Sequence, residues 1–487
     1  MDIRRTVLWM IFSFSLLLLW NNWQIHNGKP SLFGGPTPAA STADPQAGAN
    51  NATPSVPSAP ATAATAPSAV PGAATPAAAR SEEVVITTDV LRLTFDTMGA
   101  QLVRAELLKY PATGQADKPT VLLDRSAGLN YVVQSGVVGA PNGQSFPTHQ
   151  TPFRLVTSER QLTGDNLVVS FEGESGGVKV TKSFTLHKGR YDIDVRHDLA
   201  NVGSAPVTPA LYLQLERDGN DPADTSSFYH TFTGFAVYSE QDKFQKSTFS
   251  DIEKKKANYI KQADNGWIAV VQHYFATAWV PPQGKPRTNE LLEVQKNLYA
   301  ARSIEAVGEI APGAASRVDS HLWVGPQDQK AMAALAPGLE LVVDYGWLTI
   351  IAKPLFTLMT WLHSLLGNWG WTIVALTVLI KAIFYPLAAA SYRSMARMKQ
   401  VAPRLQALKE KYGDDKQKLN AAMMEMYRTE KINPLGGCLP MVVQIPVFIS
   451  LYWVLLASVE MRGAPWILWV HDPVSYTHLT LPTTPYV

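Results

Sequence analysis

The chain has 487 residues, and its 42 Lys and Arg against 40 Asp and Glu give a net charge of +2, which excludes the basic bias of a nucleic-acid-binding chain. A single cysteine excludes an intramolecular disulfide and a zinc site of the Cys₄ or Cys₂His₂ type. The chain contains no H-E-x-x-H, P-loop or G-x-G-x-x-G sequence, so no catalytic residues, cofactor, nucleotide or metal are expected. The hydrophobic content of 46% is ordinary, but the apolar residues are sharply segregated along the chain.

The N-terminal region combines a short apolar segment with a polar linker. Residues 6–20 carry no charge and follow Arg4 and Arg5. As a helix they would span about 22 Å of a hydrocarbon core about 30 Å thick. We expect an uncleaved membrane anchor over residues 1–27, since no small-x-small cleavage site follows; a cleaved signal peptide is the alternative. In residues 28–80, 43 of 53 residues are Ala, Pro, Ser, Thr or Gly, so residues 28–81 are expected to form a disordered linker.

Residues 82–340 show the alternation of half-buried β-strands. Apolar and polar residues alternate along residues 91–96, 191–196 and 211–216, with Gly, Pro and Asn turns between such segments. Strands at this density over about 250 residues predict a large antiparallel β-sandwich. In the third segment, Leu211, Leu213 and Leu215 are expected to face the core, and the intervening Tyr212, Gln214 and Glu216 the solvent.

Residues 345–367 are apolar with one polar stripe. The stripe consists of Thr349, Lys353, Thr357, Thr360 and Ser364, at spacings of three and four residues. This spacing predicts an amphipathic helix lying in the membrane interface, with Trp residues as anchors. A core helix of the preceding domain is the alternative.

Two further segments, residues 370–390 and 437–460, are apolar enough to form membrane helices. Residues 391–433 between them predict a basic helical hairpin, turned at Gly413–Asp415 and capped by Asp415; Pro403 is expected to kink or start its first arm. Short basic loops remain in the cytoplasm, so the N-terminus is predicted inside, the β-domain outside and the hairpin inside. The hairpin cations singled out are Arg393, Arg397, Lys399, Arg404, Lys409, Lys411, Lys416 and Lys418.

Lys381 lies near the middle of the first of these two membrane segments. A cation at the bilayer centre costs about 2.5–3.5 kcal/mol on insertion scales, so it has to face protein, water or a counter-charge. Thr377 lies one turn before it, and Gln444 adds an amide in the other segment. These residues indicate a polar groove between helices. The alternatives are a structural lysine paired to a carboxylate and polar residues that bond helix to helix.

The chain also resembles a known family through short motifs that follow one another in order over residues 345–472. The motifs are Asn368-Trp369-Gly370, Tyr385-Pro386-Leu387, Gly413-Asp414-Asp415-Lys416-Gln417, Asn433-Pro434-Leu435-Gly436-Gly437-Cys438, Gln444-Ile445-Pro446 and Trp469-Val470-His471-Asp472. They resemble the YidC/Oxa/Alb family of membrane protein insertases. In its Gram-negative form, this family implies a multi-pass protein of the bacterial inner membrane with a periplasmic β-supersandwich domain, an α-helical insertase core and a cytoplasmic helical hairpin.

The resemblance also implies a function and its residues. Lys381 is expected to provide the groove cation that attracts the polar, often acidic segment of a nascent membrane protein, and Thr377, Gln444 and Phe448 to line the groove. The hairpin is expected to contact the Sec translocon and the ribosome, and its cations suit anionic lipids. The family is one of insertases and chaperones, so no nucleotide is implied.

Two departures from the family pattern are visible. Lys381 replaces the more common arginine, which retains the charge but loses the bidentate fork. After Asp472 the family continues into further membrane helices, whereas residues 473–487 are polar and Pro-rich, so we expect an incomplete insertase core and an inactive chain. A membrane-anchored carbohydrate-binding or mutarotase-like periplasmic protein is the alternative function, and a solute transporter is a third.

Overall fold

The structure is a computed structural model that describes residues 81–467, apart from residues 113–114, 127, 142, 223–230, 413–414 and 430–438. The chain divides into two compact units at Val342/Val343, which are described in turn. The predicted anchor over residues 1–27, nearly all of the predicted linker and the tail over residues 473–487 lie outside the described residues.

The first unit is built from antiparallel strands, as the alternation predicts. In chain order they are β1 (Glu83–Thr87), β2 (Leu91–Asp96), β3 (Gln101–Ala112), β4 (Gln115–Ser126), β5 (Leu129–Val138), β6 (Arg154–Leu155), β7 (Asn166–Ser175), β8 (Val178–His187), β9 (Asp192–Asn201), β10 (Ala210–Asp218), β11 (Gly234–Ser239), β12 (Lys243–Ser247), β13 (Gln262–Ala263), β14 (Trp267–Gln272), β15 (Phe275–Val280), β16 (Arg287–Gln295), β17 (Leu298–Ala306) and β18 (Ala315–Pro326). Two short helices, α1 (Phe249–Glu253) and α2 (Gln329–Leu335), complete this unit.

The strands form two nine-stranded sheets. The order is β1-β2-β3-β4-β5-β10-β17-β16-β13 in the first sheet and β12-β11-β14-β15-β18-β9-β8-β7-β6 in the second. The sheets pack face to face, since the Phe95 ring of the first lies 4.8 Å from the Phe184 ring and 5.5 Å from the Phe171 ring of the second. The predicted β-sandwich is therefore confirmed.

The burial of β10 differs from the prediction. Leu211, Leu213 and Leu215 are buried as expected, but the polar residues between them are buried too: Tyr212 and Gln214 are 0% and Glu216 6% exposed. β10 lies between β5 and β17 near the middle of its sheet, and the backbone of His149 covers its polar face by donating a hydrogen bond to the Tyr212 hydroxyl at 3.0 Å. The expectation that this face is in solvent was wrong.

Polar side chains on this covered face pair with one another in a row across the sheet. Gln134 in β5 donates to Gln101 at 2.9 Å, and Gln214 in β10 donates to Gln134 at 2.5 Å. Arg302 in β17 completes the row by donating from Nε to the Gln214 side-chain oxygen. The members satisfy one another inside the protein, as buried polar groups must.

A lysine lies inside the sandwich. Lys182 in β8 is 0% exposed, and its Nζ donates to the backbone carbonyls of Gly99 at 2.6 Å and Ser135 at 2.7 Å. His197 in β9 is equally buried, and its Nε2 hydrogen-bonds to the Ser135 hydroxyl at 2.9 Å. Burial lowers the pKa of Lys182 to about 7, and burial together with the Lys182 charge lowers the pKa of His197 to about 3.

The described part of the second unit is helical. It contains α3 (Thr349–Leu366), α4 (Trp369–Tyr412), α5 (Lys416–Thr429) and α6 (Leu439–Ala457), with short 3₁₀ turns at Gly346–Leu348 and Val459–Met461. Within the described residues, α3 and α4 are long and apolar enough to cross a bilayer, and α6 contains a shorter apolar segment over Val442–Ala457.

The predicted membrane segment over residues 370–390 and the first arm of the hairpin form one continuous helix. α4 runs through Pro386 and Pro403, so Pro403 does not start a separate helix. A proline inside a helix removes one backbone hydrogen bond but does not have to end the helix when the flanking turns are stable. The change from apolar to basic composition near residue 390 is therefore not accompanied by a break in the helix.

Candidate functional site

The polar stripe of α3 is largely satisfied by its own helix. Thr357 donates to the carbonyl of Lys353, Thr360 to that of Thr357, and Ser364 to that of Trp361, at 2.7–3.0 Å. A hydroxyl that bonds to its own backbone costs little against an apolar surrounding. Lys353 therefore carries most of the polarity of this face.

The start of α4 is tied to the segment that follows α6. The Asn368 side-chain amide donates to the carbonyls of Pro465 at 3.1 Å and Trp466 at 3.3 Å, and the Trp466 ring packs edge-on against Trp371 at 5.9 Å. Gly370 is required here, because a side chain at this position would collide with the Trp466 ring. These contacts fix α4 and α6 as antiparallel neighbours.

Lys381 of α4 and Phe448 of α6 meet along this helix pair. The Lys381 Nζ lies over the Phe448 ring, 5.4 Å from its centroid. Both side chains are on the exposed side of their helices, and Phe448 is 38% exposed. Lys381 and Phe448, which are predicted to line one groove, are thus in direct contact.

Thr377 and Gln444 extend the same surface by one helical turn on each helix. Thr377 precedes Lys381 by four residues in α4, so these two side chains lie on one face of α4. Gln444 precedes Phe448 by four residues in α6, so these two lie on one face of α6. Both side chains are half-buried. The Thr377 hydroxyl donates to the Ile373 carbonyl at 2.8 Å, which leaves its oxygen available as an acceptor.

Two prolines add polar backbone near these side chains. Pro386 lacks the N–H that would bond to the Ala382 carbonyl, and Pro446 likewise leaves the Val442 carbonyl without its helical partner. Exposed backbone carbonyls at membrane depth are tolerated only against protein or water. Ala382 directly follows Lys381 in the sequence, so a carbonyl that lacks its helical N–H donor belongs to the residue next to the cation.

No carboxylate neutralises Lys381 in the described part of the chain. The sequence has no Asp or Glu between Asp344 and Glu410, and none between residues 439 and 459. No described side chain forms a salt bridge or a hydrogen bond with the Lys381 Nζ, which instead lies over the face of the Phe448 ring. The alternative of a structural lysine paired to a carboxylate therefore finds no support among the described residues.

The basic hairpin is described in part. Seven of the eight cations singled out have described side chains, and all seven are exposed: Arg393, Arg397, Lys399, Arg404, Lys409 and Lys411 on α4, and Lys418 on α5. Lys416 begins α5, but its side chain lies outside the described residues, as do the turn residues 413–414. Asp415 caps α5 by accepting from the Lys418 backbone N–H at 3.1 Å, as predicted.

The expectation that the chain has no hydrolase-type sequence pattern was wrong at one place. Residues 173–177, Gly-Glu-Ser-Gly-Gly, fit the G-x-S-x-G pattern of hydrolase nucleophiles. In the structure they form the end of β7 and its hairpin turn into β8, where no helix follows, and the Ser175 hydroxyl donates to the Ser145 carbonyl. The strand–turn–helix that a nucleophile needs is therefore missing from this segment.

Comparison with known proteins identifies the family. Residues 83–358 match the YidC periplasmic domain, and residues 361–483 match the 60Kd inner membrane protein family. The membrane protein insertase YidC of Bordetella parapertussis is 82% identical over 477 residues, which cover 97% of this chain and 84% of that protein. The chain belongs to the YidC family. The YidC of a Janthinobacterium species is also similar, with 51% identity over 98% of this chain and 84% of that protein.

Among solved structures, the chain is similar to one described as an active YidC insertase with its first transmembrane domain resolved. The identity is 19%, the match covers 81% of this chain and 76% of that one, and the TM-score is 0.31. Family membership rests on the sequence relatives, which confirm the resemblance inferred from the motifs. It also indicates an inner-membrane protein with a periplasmic domain.

Proposed function

We propose that this YidC-family chain is a membrane protein insertase and chaperone, which receives nascent membrane proteins at the surface formed by Lys381, Thr377, Gln444 and Phe448. The observation that carries the proposal is the position of Lys381, a cation without a carboxylate partner among the described residues, between two apolar helices. The high identity to proteins named membrane protein insertase supports the same function.

The chemistry of the surface suits a polar segment in transit. An acidic side chain of the incoming segment exchanges part of its hydration for the Lys381 ammonium, and the attraction strengthens as water is excluded. The Thr377 and Gln444 side chains and the free Ala382 and Val442 carbonyls offer hydrogen bonds to its backbone. These contacts lower the barrier for the polar part, while the apolar span partitions into lipid.

The remaining assignments are part of the same proposal. The chain acts as a multi-pass inner-membrane protein with an anchor over residues 1–27, a linker over 28–81 and a periplasmic domain over 82–340. Residues 345–367 lie in the membrane interface, residues 370–390 and 437–460 cross the membrane, and the hairpin over 391–433 is cytoplasmic. The exposed hairpin cations would contact the Sec translocon, the ribosome and anionic lipids.

The test is insertion of a small single-span substrate with an acidic translocated tail, in cells depleted of their own insertase. The protein tested is a chimera continued beyond Asp472 by the corresponding part of the Bordetella parapertussis relative. In the chimera, we expect Lys381→Ala to lower insertion about tenfold, equivalent to about 1.4 kcal/mol, and Lys381→Arg to stay close to the parent.

Lys353→Ala is the matched control, since it removes a cation from the neighbouring apolar helix without touching the surface around Lys381. Equal insertion by Lys381→Ala and the parent would remove Lys381 from the mechanism. Failure of the membrane-integrated chimera to insert any substrate would overturn the proposed function.

The alternative of a carbohydrate-binding periplasmic protein is not favoured. Such a protein needs an open face of acids, amides and aromatics, whereas the row formed by Gln101, Gln134, Gln214 and Arg302 is enclosed, each residue being at most 7% exposed. These side chains already use their hydrogen-bonding groups on one another.

A further inference from the structure

Within the described residues, the Lys381 ammonium makes a cation–π contact with the Phe448 ring. A lysine side chain near the middle of an apolar helix tends to extend towards the nearest interface, because its flexible stem allows the ammonium to reach water. Lys381 lies twelve residues after Trp369, about 18 Å along the helix axis, and about 13 Å from residue 390. In the structure the ammonium lies beside α6, 5.4 Å from the centroid of the Phe448 ring.

An aromatic ring differs from other partners in what it does to the charge. A carboxylate would neutralise the ammonium, and a hydrogen-bonding acceptor would occupy its N–H groups one by one. The face of a phenyl ring attracts a cation through its quadrupole but carries no net charge. The ring covers one side of the ammonium, and the N–H groups on the other side of the ammonium remain available as donors.

We propose that Phe448 is a positioning residue for Lys381: the ring fixes the ammonium at the surface between α4 and α6 and leaves its charge free for an acidic residue of the incoming segment. This inference rests on the proposed function, and it adds a selectivity for acidic over neutral segments that depends on the aromatic character of residue 448. Size and hydrophobicity alone do not supply that selectivity.

Fluorination of the ring tests the inference, because it weakens the quadrupole stepwise with little change in shape. The chain is prepared in lipid nanodiscs with Phe, 4-fluoro-, 3,5-difluoro- or 3,4,5-trifluorophenylalanine at position 448. The probes are a synthetic single-span peptide with one Asp in its polar tail and the same peptide with Asn instead. We expect the affinity for the Asp peptide to fall stepwise, by about two- to fivefold in total, and that for the Asn peptide to stay constant.

Three further variants isolate the cause. Phe448→Trp, with a stronger quadrupole, is expected to bind the Asp peptide at least as tightly as the parent, and Phe448→Leu to match the trifluoro protein. In a Lys381→Ala background the fluorination series is expected to be flat. Phe356 is the matched control position, since its ring packs against Tyr345 at 6.3 Å, and its fluorination is expected to leave both affinities unchanged.

The outcomes separate the inference from the proposed function. A flat fluorination series, with Lys381→Ala still losing the preference for Asp, overturns the positioning role of Phe448 and leaves the charge role of Lys381 in place. If the protein with Phe448 shows no preference for the Asp peptide, both the charge role and the positioning role fall. An equal loss for the Asp and Asn peptides would show that Phe448 acts through packing, which also overturns the inference.

Discussion

Lys182 in β8 donates a hydrogen bond from its Nζ to the backbone carbonyl of Ser135 in β5, at 2.7 Å across the interior of the sandwich. The second hydrogen bond from the same nitrogen goes to the Gly99 carbonyl. A neutral amine has two N–H groups, so these two carbonyls match its uncharged form. Burial lowers the pKa of Lys182 to about 7, which is consistent with a neutral amine in mildly alkaline solution.

We therefore expect the stability of the β-unit to rise with pH between about 7.5 and 9.5. Over this range the unfolded lysine, with a pKa near 10.5, stays protonated, while Lys182 in the folded state has lost its proton. The unfolded state binds the extra proton, so the free energy of unfolding increases by about 1–1.4 kcal/mol per pH unit. Lys182→Met is expected to abolish this slope, as measured by urea unfolding followed by the circular dichroism of the sheets.

Lys179→Met is the control for this experiment. Lys179 lies in the same strand, but its side chain is 40% exposed and pairs with Glu172 at 3.1 Å. This variant is expected to keep the slope of the parent. A slope that persists in Lys182→Met would show that another group titrates.

A second prediction concerns the stability of the β-unit at acidic pH. The pKa of His197 is about 3 in the folded state, so the histidine gains its proton on unfolding at any pH between about 3 and 6.5. Its contribution to stability is full above pH 6.5 and is lost as the pH falls. His197→Gln can keep a hydrogen bond to the Ser135 hydroxyl without titrating, so we expect a flatter decline of the unfolding midpoint between pH 6 and pH 4. A decline in His197→Gln as steep as that of the parent would contradict this prediction.

A third prediction concerns the buried polar row. Gln214→Leu removes the acceptor of the Arg302 Nε–H and the donor to Gln134, in a place that water does not reach. Loss of a partner for a buried charged group is expected to lower the free energy of unfolding by about 2–3 kcal/mol. The same change at the exposed Gln161 provides the comparison and should cost less than about 0.5 kcal/mol. Similar values for the two variants would argue against a role of the row in stability.

A fourth prediction addresses the helical unit. Gly370→Ala places a methyl group against the Trp466 ring and is expected to loosen the contact between the start of α4 and the segment after α6. We expect a lower midpoint of thermal unfolding in detergent, as measured by size-exclusion chromatography of heated samples. The double variant Gly370→Ala/Trp466→Ala removes the ring that causes the collision. It should be no less stable than Trp466→Ala alone, and an additional loss in the double variant would contradict this explanation.

Much of the β-unit follows from alternation alone, and in β8 alternation also predicts the buried lysine. Along β8 the buried positions are Val178, Val180, Lys182, Phe184 and Leu186, so the lysine falls in phase with four apolar residues. A lysine in phase with buried apolar residues predicts that its side chain is buried inside the sandwich. Its acceptors, Gly99 and Ser135, could not be predicted, because alternation does not determine which strands of the opposite sheet lie across from it.

In the helical unit, the sequence predicts which residues belong together but not which of them are in contact. The motifs predict Lys381 and Phe448 as residues of one groove, and the structure adds the contact between the ammonium and the ring. That contact depends on how α4 and α6 are paired and rotated against each other. The spacing of residues within one helix does not determine this packing. The continuity of α4 is also not predictable from composition, because the change from apolar to basic residues near residue 390 does not coincide with a helix end.

The continuity of α4 has a mechanical consequence. The helix has 44 residues and is therefore about 66 Å long, and it carries Lys381 in one half and Lys409 and Lys411 in the other. A displacement of the basic arm would therefore reach Lys381 through continuous helical backbone rather than through a loop. Pro386 and Pro403, each with one backbone hydrogen bond missing, lie between the arm and Lys381, and they are the points at which the helix can bend. The orientation of the arm relative to the Lys381 segment thus depends on the bend at these two prolines.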